Sequence, residues 1–284
     1  MSGVEERERK EFVLSVLHSP RIVEILEILE KRSLSKKELR EKLGVSGSSL
    51  VQTVAKMNAM GLVEDDGESV SITPKGVVIL KAKGVLEDYN AFLNSVEKYI
   101  NEYLLDDIPK SLLKRLYELG ELTIIDRAED TFKPHDEFVE ELSKAKKIEG
   151  YSTIFFADYV DVFSRFADEG KEIKVAVNEK VLSQMVRNYK QELLMGLSYP
   201  NVELYISRKD FRFCVVLTEY YFSISFYLRN GLFDYRRDFA TKSEGGRRWG
   251  RAILDHIMKH CVRVDADFVE RFERAGYSLK GLFD

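Results

Sequence analysis

Residues 33–76 constrain the fold more than any other stretch of this chain. Leu34-Ser35 leads into KKELREKLG, then the turn Gly44-Val45-Ser46, then GSSLVQTVAKMNAMG and LVEDDGESVSITPKG. Ser35 with Glu38 three residues later is a capping box, which starts a helix by satisfying its first free amides. Leu39 and Leu43 give that helix one apolar stripe, and Gly44 supplies the left-handed residue that stops it. Leu50, Val54 and Met57 recur at i, i+4 and i+7, which turns them to one side of the next helix. Val63–Asp65 and Ser69–Ile72 read as two strands about an Asp66-Gly67 hairpin turn. Upstream, Ile22, Ile25, Leu26 and Leu29 follow Ser19-Pro20, a cap with proline at the first helical position. Helix, tight turn, helix and two-stranded wing make a winged helix-turn-helix, whose main use is to lay its second helix in a DNA major groove.

The face opposite Leu50, Val54 and Met57 carries Ser48, Gln52 and Lys56, with Ser49 and Val51 on its flanks. It is small and polar, so it can approach base edges. Gln52 can pair with adenine through both amide groups, Ser48 and Ser49 can meet bases or phosphate, and Val51 can touch a thymine methyl. Ser46, in the turn, joins this set. Lys36, Lys37 and Arg40 on the preceding helix are placed for phosphates and therefore for positioning. Charge supports the division. The chain has a net charge of -4, yet residues 31–56 hold seven basic side chains against two acidic ones. Such a chain makes local phosphate contacts and is not a general nucleic-acid coat. The wing departs from this pattern: its tip, Glu64-Asp65-Asp66-Gly67-Glu68, is acidic, and DNA phosphates repel it. It is expected to add little affinity, and packing against a partner subunit is the alternative.

Composition narrows the setting. No run of 18 or more apolar residues occurs, so no membrane span is expected, and the charged start MSGVEERERKEF lacks the apolar core of a signal peptide. Cys214 and Cys261 form no CxxC or disulfide framework, which fits a reducing cytoplasm and two structural thiols.

Pro74 opens another helix, and helical periodicity continues from Val85 to Leu105 with a stripe of Leu86, Tyr89, Leu93, Val96, Ile100 and Leu104. The stripe suits either core packing or a dimer interface, and a dimer matches palindromic sites. The pattern breaks near Asp106-Asp107-Ile108-Pro109. Beyond it, β-rich runs fall at 122–125, 151–156, 172–177, 202–207, 211–217 and 220–228. Helical runs fall at 135–147, 159–169, 179–197, 244–261 and 266–275. Strands alternating with helices imply a partly parallel sheet. The later strands read as antiparallel, with Asn230-Gly231 as a hairpin turn. The expected architecture is multidomain α+β. It comprises a winged helix-turn-helix over 1–84, a connector or dimerisation helix over 85–108, and an α/β sensory or oligomerisation domain with a mixed sheet over 109–284.

The N-terminal motif, together with IPKSLLKRLYELGELTII, IEGYSTIFFADYVDVFSRFADEGKEIKVAV, GLFDYRRDF and GRRWGRAILDHI, resembles the archaeal family of winged-helix regulators that includes the methanogenesis regulatory protein FilR1. The resemblance spans nearly the whole chain. It implies a cytoplasmic transcription regulator whose second domain senses a signal or organises oligomers, and it carries no ligand residues to transfer.

Catalytic motifs are missing. The β/α pattern has a likeness to phospholipase D folds, but none of the four histidines (His18, His135, His256 and His260) begins the H-x-K-x4-D motif that chemistry requires. There is also no G-x-S-x-G, P-loop or G-x-G-x-x-G. Glu244-Gly245-Gly246-Arg247 reads as a loop into a capped helix, with anion binding there as the alternative. His256 and His260 have the i, i+4 spacing of a metal pair but no evident third ligand, so no metal and no cofactor are expected. The second domain is rich in aromatics: Tyr151, Phe155, Phe156, Tyr159, Phe213, Tyr221, Tyr227, Phe233, Tyr235 and Trp249. Beside Arg229, Asp234, Arg236 and Arg247, some of them can line a cleft; the effector pocket is expected at Tyr235, Trp249, Asp234 and Arg247. The sequence thus points to a homodimeric, sequence-specific binder of double-stranded DNA, with an unknown small-molecule effector and no membrane partner. A dimerisation scaffold is the competing class, and a phospholipase D-like enzyme stands behind it.

Overall fold

The computed structural model describes residues 12–126 and 136–282; the charged N-terminal stretch, His135 and the start of the helix expected there lie outside these ranges. The chain forms two compact units, Met1–Glu87 and Asp88–Asp284.

In the first unit a helical segment at 12–17 precedes α1 (Pro20–Lys31), α2 (Lys36–Leu43), α3 (Gly47–Ala59), β1 (Val63–Asp65) and β2 (Val70–Ile72). The expected apolar stripes meet in one core: Ile25, Leu26, Leu39, Val54 and Met57 are fully buried. Ser35 and Glu38 form both halves of the capping box, and Gly44 ends α2 at φ 64°. Two local expectations need correction. Ser19 occupies the cap position of α1, but its hydroxyl makes no capping bond. The wing turn is also longer than Asp66-Gly67, because Asp65 pairs with Val70 and leaves 66–69 as the loop. The Asp66 carboxylate closes that loop by accepting from the Glu68 and Ser69 amides at 2.9 and 2.7 Å. Leu34 bridges to Val70 and adds a third short edge to the wing.

Helix α4 (Pro74–Val96) follows and ends well before Leu105, giving way to a short 3-10 turn at Ile100–Glu102. Its expected stripe is also rotated. Phe92 and Val96 are buried in the core of the second unit, whereas Leu86 and Leu93 are exposed. Residues 103–119 stay with that core through Tyr103, Ile108, Leu112 and Leu119.

The second unit is built on an eight-stranded mixed sheet. Its strands are β3 (Thr123–Asp126), β4 (Lys147–Ser152), β5 (Glu172–Val177), β6 (Val202–Ser207), β7 (Phe213–Leu217), β8 (Phe222–Phe226), β9 (Arg237–Thr241) and β10 (Cys261–Val264). Their order is β10-β6-β5-β4-β7-β8-β9-β3. β4, β5 and β6 are parallel to one another, as the alternation with helices predicts, and the other pairings are antiparallel. The helices are α5 (Asp136–Lys144), α6 (Asp158–Asp168), α7 (Glu179–Asn188), α8 (Lys190–Ser198), α9 (Glu244–Met258) and α10 (Ala266–Arg274). The single helix expected over 179–197 is therefore two, parted at Tyr189, whose φ of -139° is not helical.

Strand alternation gives the sheet two apolar faces. One takes Tyr151, Phe213, Val215, Phe222, Ile224 and Phe239 and is covered by Trp249, Ile253 and Ile257 of α9. This cover lies close. A Cβ built on Gly250 falls 2.3 Å from Cδ2 of Phe222, so only glycine lets α9 approach the sheet there. The opposite face, carrying Ile148, Ile173, Leu204 and Ile206, is packed by Leu142 and Phe166 and by Val181, Leu182 and Phe268.

Candidate functional site

The sequence sets the orientation of α3 by burying Leu50, Val54 and Met57. The remaining face, Ser48, Ser49, Val51, Gln52 and Lys56, is exposed, as the periodicity requires. Ser46 is exposed as well, and its hydroxyl caps α3 by accepting from the Ser49 amide at 3.3 Å. Capping fixes the start of α3 and leaves the hydroxyls of Ser48 and Ser49 beside its first turn. In that position the partial positive charge of the helix end favours phosphate oxygens. Among the described contacts, Gln52 and Lys56 make no ion pair or hydrogen bond with another side chain.

The cationic helix behaves differently at its three positions. Lys37 and Arg40 are exposed. Lys36 is half-buried, and its ammonium lies 2.7 Å from Oδ2 of Asp65 on the first wing strand. The bond from Lys36 outweighs a small burial effect and holds the Asp65 carboxyl below the usual carboxylate range. Asp66 is likewise held low, by the Ser69 and Glu68 amides. Two of the acidic wing residues are therefore occupied inside the wing and its neighbouring helix. Acidity at the tip is a structural device as well as a charge.

The four residues expected as an effector pocket do not come together as one. Trp249 is fully buried, and its indole N–H donates to the Leu112 carbonyl at 3.0 Å. Asp234 is buried and accepts from the Tyr103 hydroxyl at 2.7 Å, with Arg237 3.6 Å away. Tyr235 is exposed, and Arg247 donates to the Lys242 carbonyl. These groups serve packing. Asp234 anchors the 99–103 segment to the sheet, and the Gly245-Gly246 pair lies within the first turn of α9, capped by Ser243, and leaves no phosphate cradle. A Cβ on Gly245 would meet the Glu118 carbonyl oxygen at 2.3 Å, which explains the glycine without a ligand. His256 and His260 pack edge-to-face beside Phe211, with their ring centres 5.4 Å apart, and burial pushes His256 below its ordinary value. Among the described residues, no three His, Cys, Asp or Glu side chains group as a metal site. No described helix is long and apolar enough to cross a membrane.

The second unit does contain a cavity, of about 210 Å³, on the sheet face opposite α9. Its walls include Phe155, Tyr159 and Phe233 from the aromatic set, but its floor is made of small residues that the sequence pattern does not assign to a pocket: Gly150, Ser152, Cys214, Ser223 and Ser225. A signal was present. The strand FSISF alternates apolar residues with Ser although both its faces are buried, which marks a small polar strip inside the sheet.

An exposed polar helix face with cationic flanks, on a buried three-helix core with a wing, defines a winged helix-turn-helix protein joined to an α/β unit. Residues 131–260 match the family model described as methanogenesis regulatory protein FilR1, middle domain. That match covers just under half of the chain and includes motifs on which the resemblance rests. It is 20% identical over 283 residues to the methanogenesis regulatory protein FilR1 of Methanothrix harundinacea (strain 6Ac). That alignment covers 96% of this chain and 62% of the relative, so the chain spans about three fifths of that protein's length. Among solved structures, TrmBL2, described as an archaeal chromatin protein with a novel mode of DNA binding, aligns at 12% identity with a TM-score of 0.42. It covers 90% of this chain and all of the other. Nuc of Salmonella typhimurium, a phospholipase D family member, aligns at 10% identity with a TM-score of 0.35, over 51% of this chain and 99% of its own.

Proposed function

We propose that this chain is a sequence-specific DNA-binding transcription regulator, acting in the cytoplasm as a homodimer, whose second unit responds to a small-molecule effector. The observation that carries the reading is the exposure of Ser48, Ser49, Gln52 and Lys56 on a helix whose opposite side is sealed into the core. Gln52 and the serines read base edges, Lys37 and Arg40 hold phosphates, and Lys36 does so when released from Asp65. The relative's name as a regulatory protein supports the role and says nothing of which genes this chain controls. The stretch 85–108 serves as the connector, and exposed Val78 and Leu86 of α4 supply apolar surface for the second copy. The α/β part from 109 onward carries sensing.

The acidic wing favours one second reading, a scaffold that uses the winged helix for dimerisation. Selection of bound sites from random duplex DNA at physiological salt separates the two. A regulator enriches a defined, two-fold motif; a scaffold enriches none.

A further inference from the structure

We propose that the cavity in the second unit is a binding site for an uncharged, hydrocarbon-rich molecule, a single ring with a short neutral arm, and that it excludes ions of either sign. The proposal rests on the reading of that unit as a sensor and names the class of effector.

The chamber is made by the choice of side chains on one sheet face. On β5 and β6 that face carries Ile173, Val175 and Leu204, whereas the floor residues of β4, β7 and β8 are too small to fill the space beneath the helices. All these strands are interior to the sheet. Val175 and Val216 nevertheless stay partly exposed, because nothing in the chain packs down onto them completely. A dry cavity of roughly 150 Å³ accommodates a benzene ring, so about 210 Å³ holds a ring and a short arm. Phe155, Tyr159 and Phe163 offer it ring faces and edges, and Met185 adds an adaptable thioether.

Charge then decides the ligand class. Among the described residues the lining holds no Lys, Arg or His, so an anion finds no counter-charge. A cation fares no better, because the three carboxylates at the lining are committed elsewhere. Glu192 is exposed to solvent. Glu203 falls on the α9 face of the sheet, where Tyr205 donates to it at 3.1 Å and Arg263 lies 3.8 Å away. Asp238 is engaged by the Ser225 hydroxyl among other partners. Cys214 is held by Thr153, whose amide lies 3.3 Å from Sγ, and contributes shape. An ion entering this chamber sheds its water with no partner in place, which costs more than the ring gains. A neutral arm loses far less, and the Ser223 hydroxyl on the floor can bond to it.

The test titrates 2-phenylethanol, phenylacetate and 2-phenylethylamine, near-isosteres that are neutral, anionic and cationic, into full-length protein labelled at its methionine methyls. The alcohol is expected to shift the NMR signal of Met185 saturably and to leave that of Met57, in the core of the first unit, in place. Both ions are expected to bind at least tenfold more weakly. Val216 stands in register between Gly150 and Ser223, which leave room for a larger group. Val216→Phe should therefore keep the circular dichroism spectrum and lose the alcohol. The Met185 signal locates the site in the wild-type protein whether or not that variant folds. Absence of a saturable Met185 shift, equal affinity for either ion, or full binding by folded Val216→Phe overturns the proposal. DNA affinity is read separately. Alcohol binding that leaves it unchanged upholds the site and removes only its sensory role.

Discussion

The Lys36 ammonium lies 2.7 Å from the Asp65 carboxylate, tying the helix before the recognition helix to the first strand of the wing. A residue suited to phosphate contact is therefore held by an acid of its own chain, and on the proposed function a DNA phosphate would have to compete with Asp65 for it. Replacing Asp65 by Asn leaves a neutral side chain of the same shape. Asp65→Asn should raise affinity for every duplex tested and steepen the salt dependence by up to about one phosphate contact. Fluorescence anisotropy across a salt series measures both. Unchanged slope and affinity would show that Lys36 stays out of the interface.

The same pair has a pH signature. Asp65 is held below its ordinary value of about 3.9, so its contribution is present above that pH and fades as pH falls through the lower folded value. Lys36→Met should move the Asp65 titration, followed by carboxyl NMR shifts, back up toward the ordinary value.

Glu149 is buried in β4 and bonded to both terminal nitrogens of Arg251 on α9, with Lys147 3.3 Å away. Burial works to raise its pKa; Arg251 and Lys147 overcome this and hold it low. Its stabilising effect is complete above about pH 4.3 and is lost as acid protonates the folded carboxyl. Arg251 is 44% exposed, which screens the pair, so Arg251→Met should cost about 1–3 kcal/mol in urea unfolding at pH 7. The difference from wild type should shrink toward pH 3.

Gly250 sits where α9 crosses Phe222, and its missing Cβ would lie 2.3 Å from the ring. Gly250→Ala should therefore destabilise by about 1–3 kcal/mol through overpacking, despite alanine's better helix propensity. A higher melting temperature for Gly250→Ala would contradict this packing.

Local rules carried much of the fold. The capping box at Ser35 and Glu38, the stop at Gly44, and strands β5 and β6 stand where alternation and turn chemistry put them. Where they failed, long-range partners decided. The strand read at 151–156 is β4 at Lys147–Ser152, because Glu149 is neutralised by an arginine 102 residues away, which no local pattern shows. β9 was missed since Arg237 and Asp238 look like loop residues until Glu102, Tyr103 and Ser225 receive them. The helix of 244–261 ends at Met258 because Cys261–Val264 pairs with β6. At the proposed DNA face, exposure followed from periodicity, but Ser46's commitment to capping and Lys36's to Asp65 needed coordinates. The cavity was less legible still: aromatic residues advertise walls, whereas a floor of glycine, serine and cysteine from three strands is assembled only by the sheet.

Base reading by the exposed face of α3 is tested most directly by Gln52→Ala on the site recovered by selection and on its single-base variants. The expected result is a loss of about 1–3 kcal/mol on the selected site, with discrimination abolished at one or two base pairs and binding to a scrambled duplex unchanged. An equal loss on every duplex, or none on any, would contradict the reading.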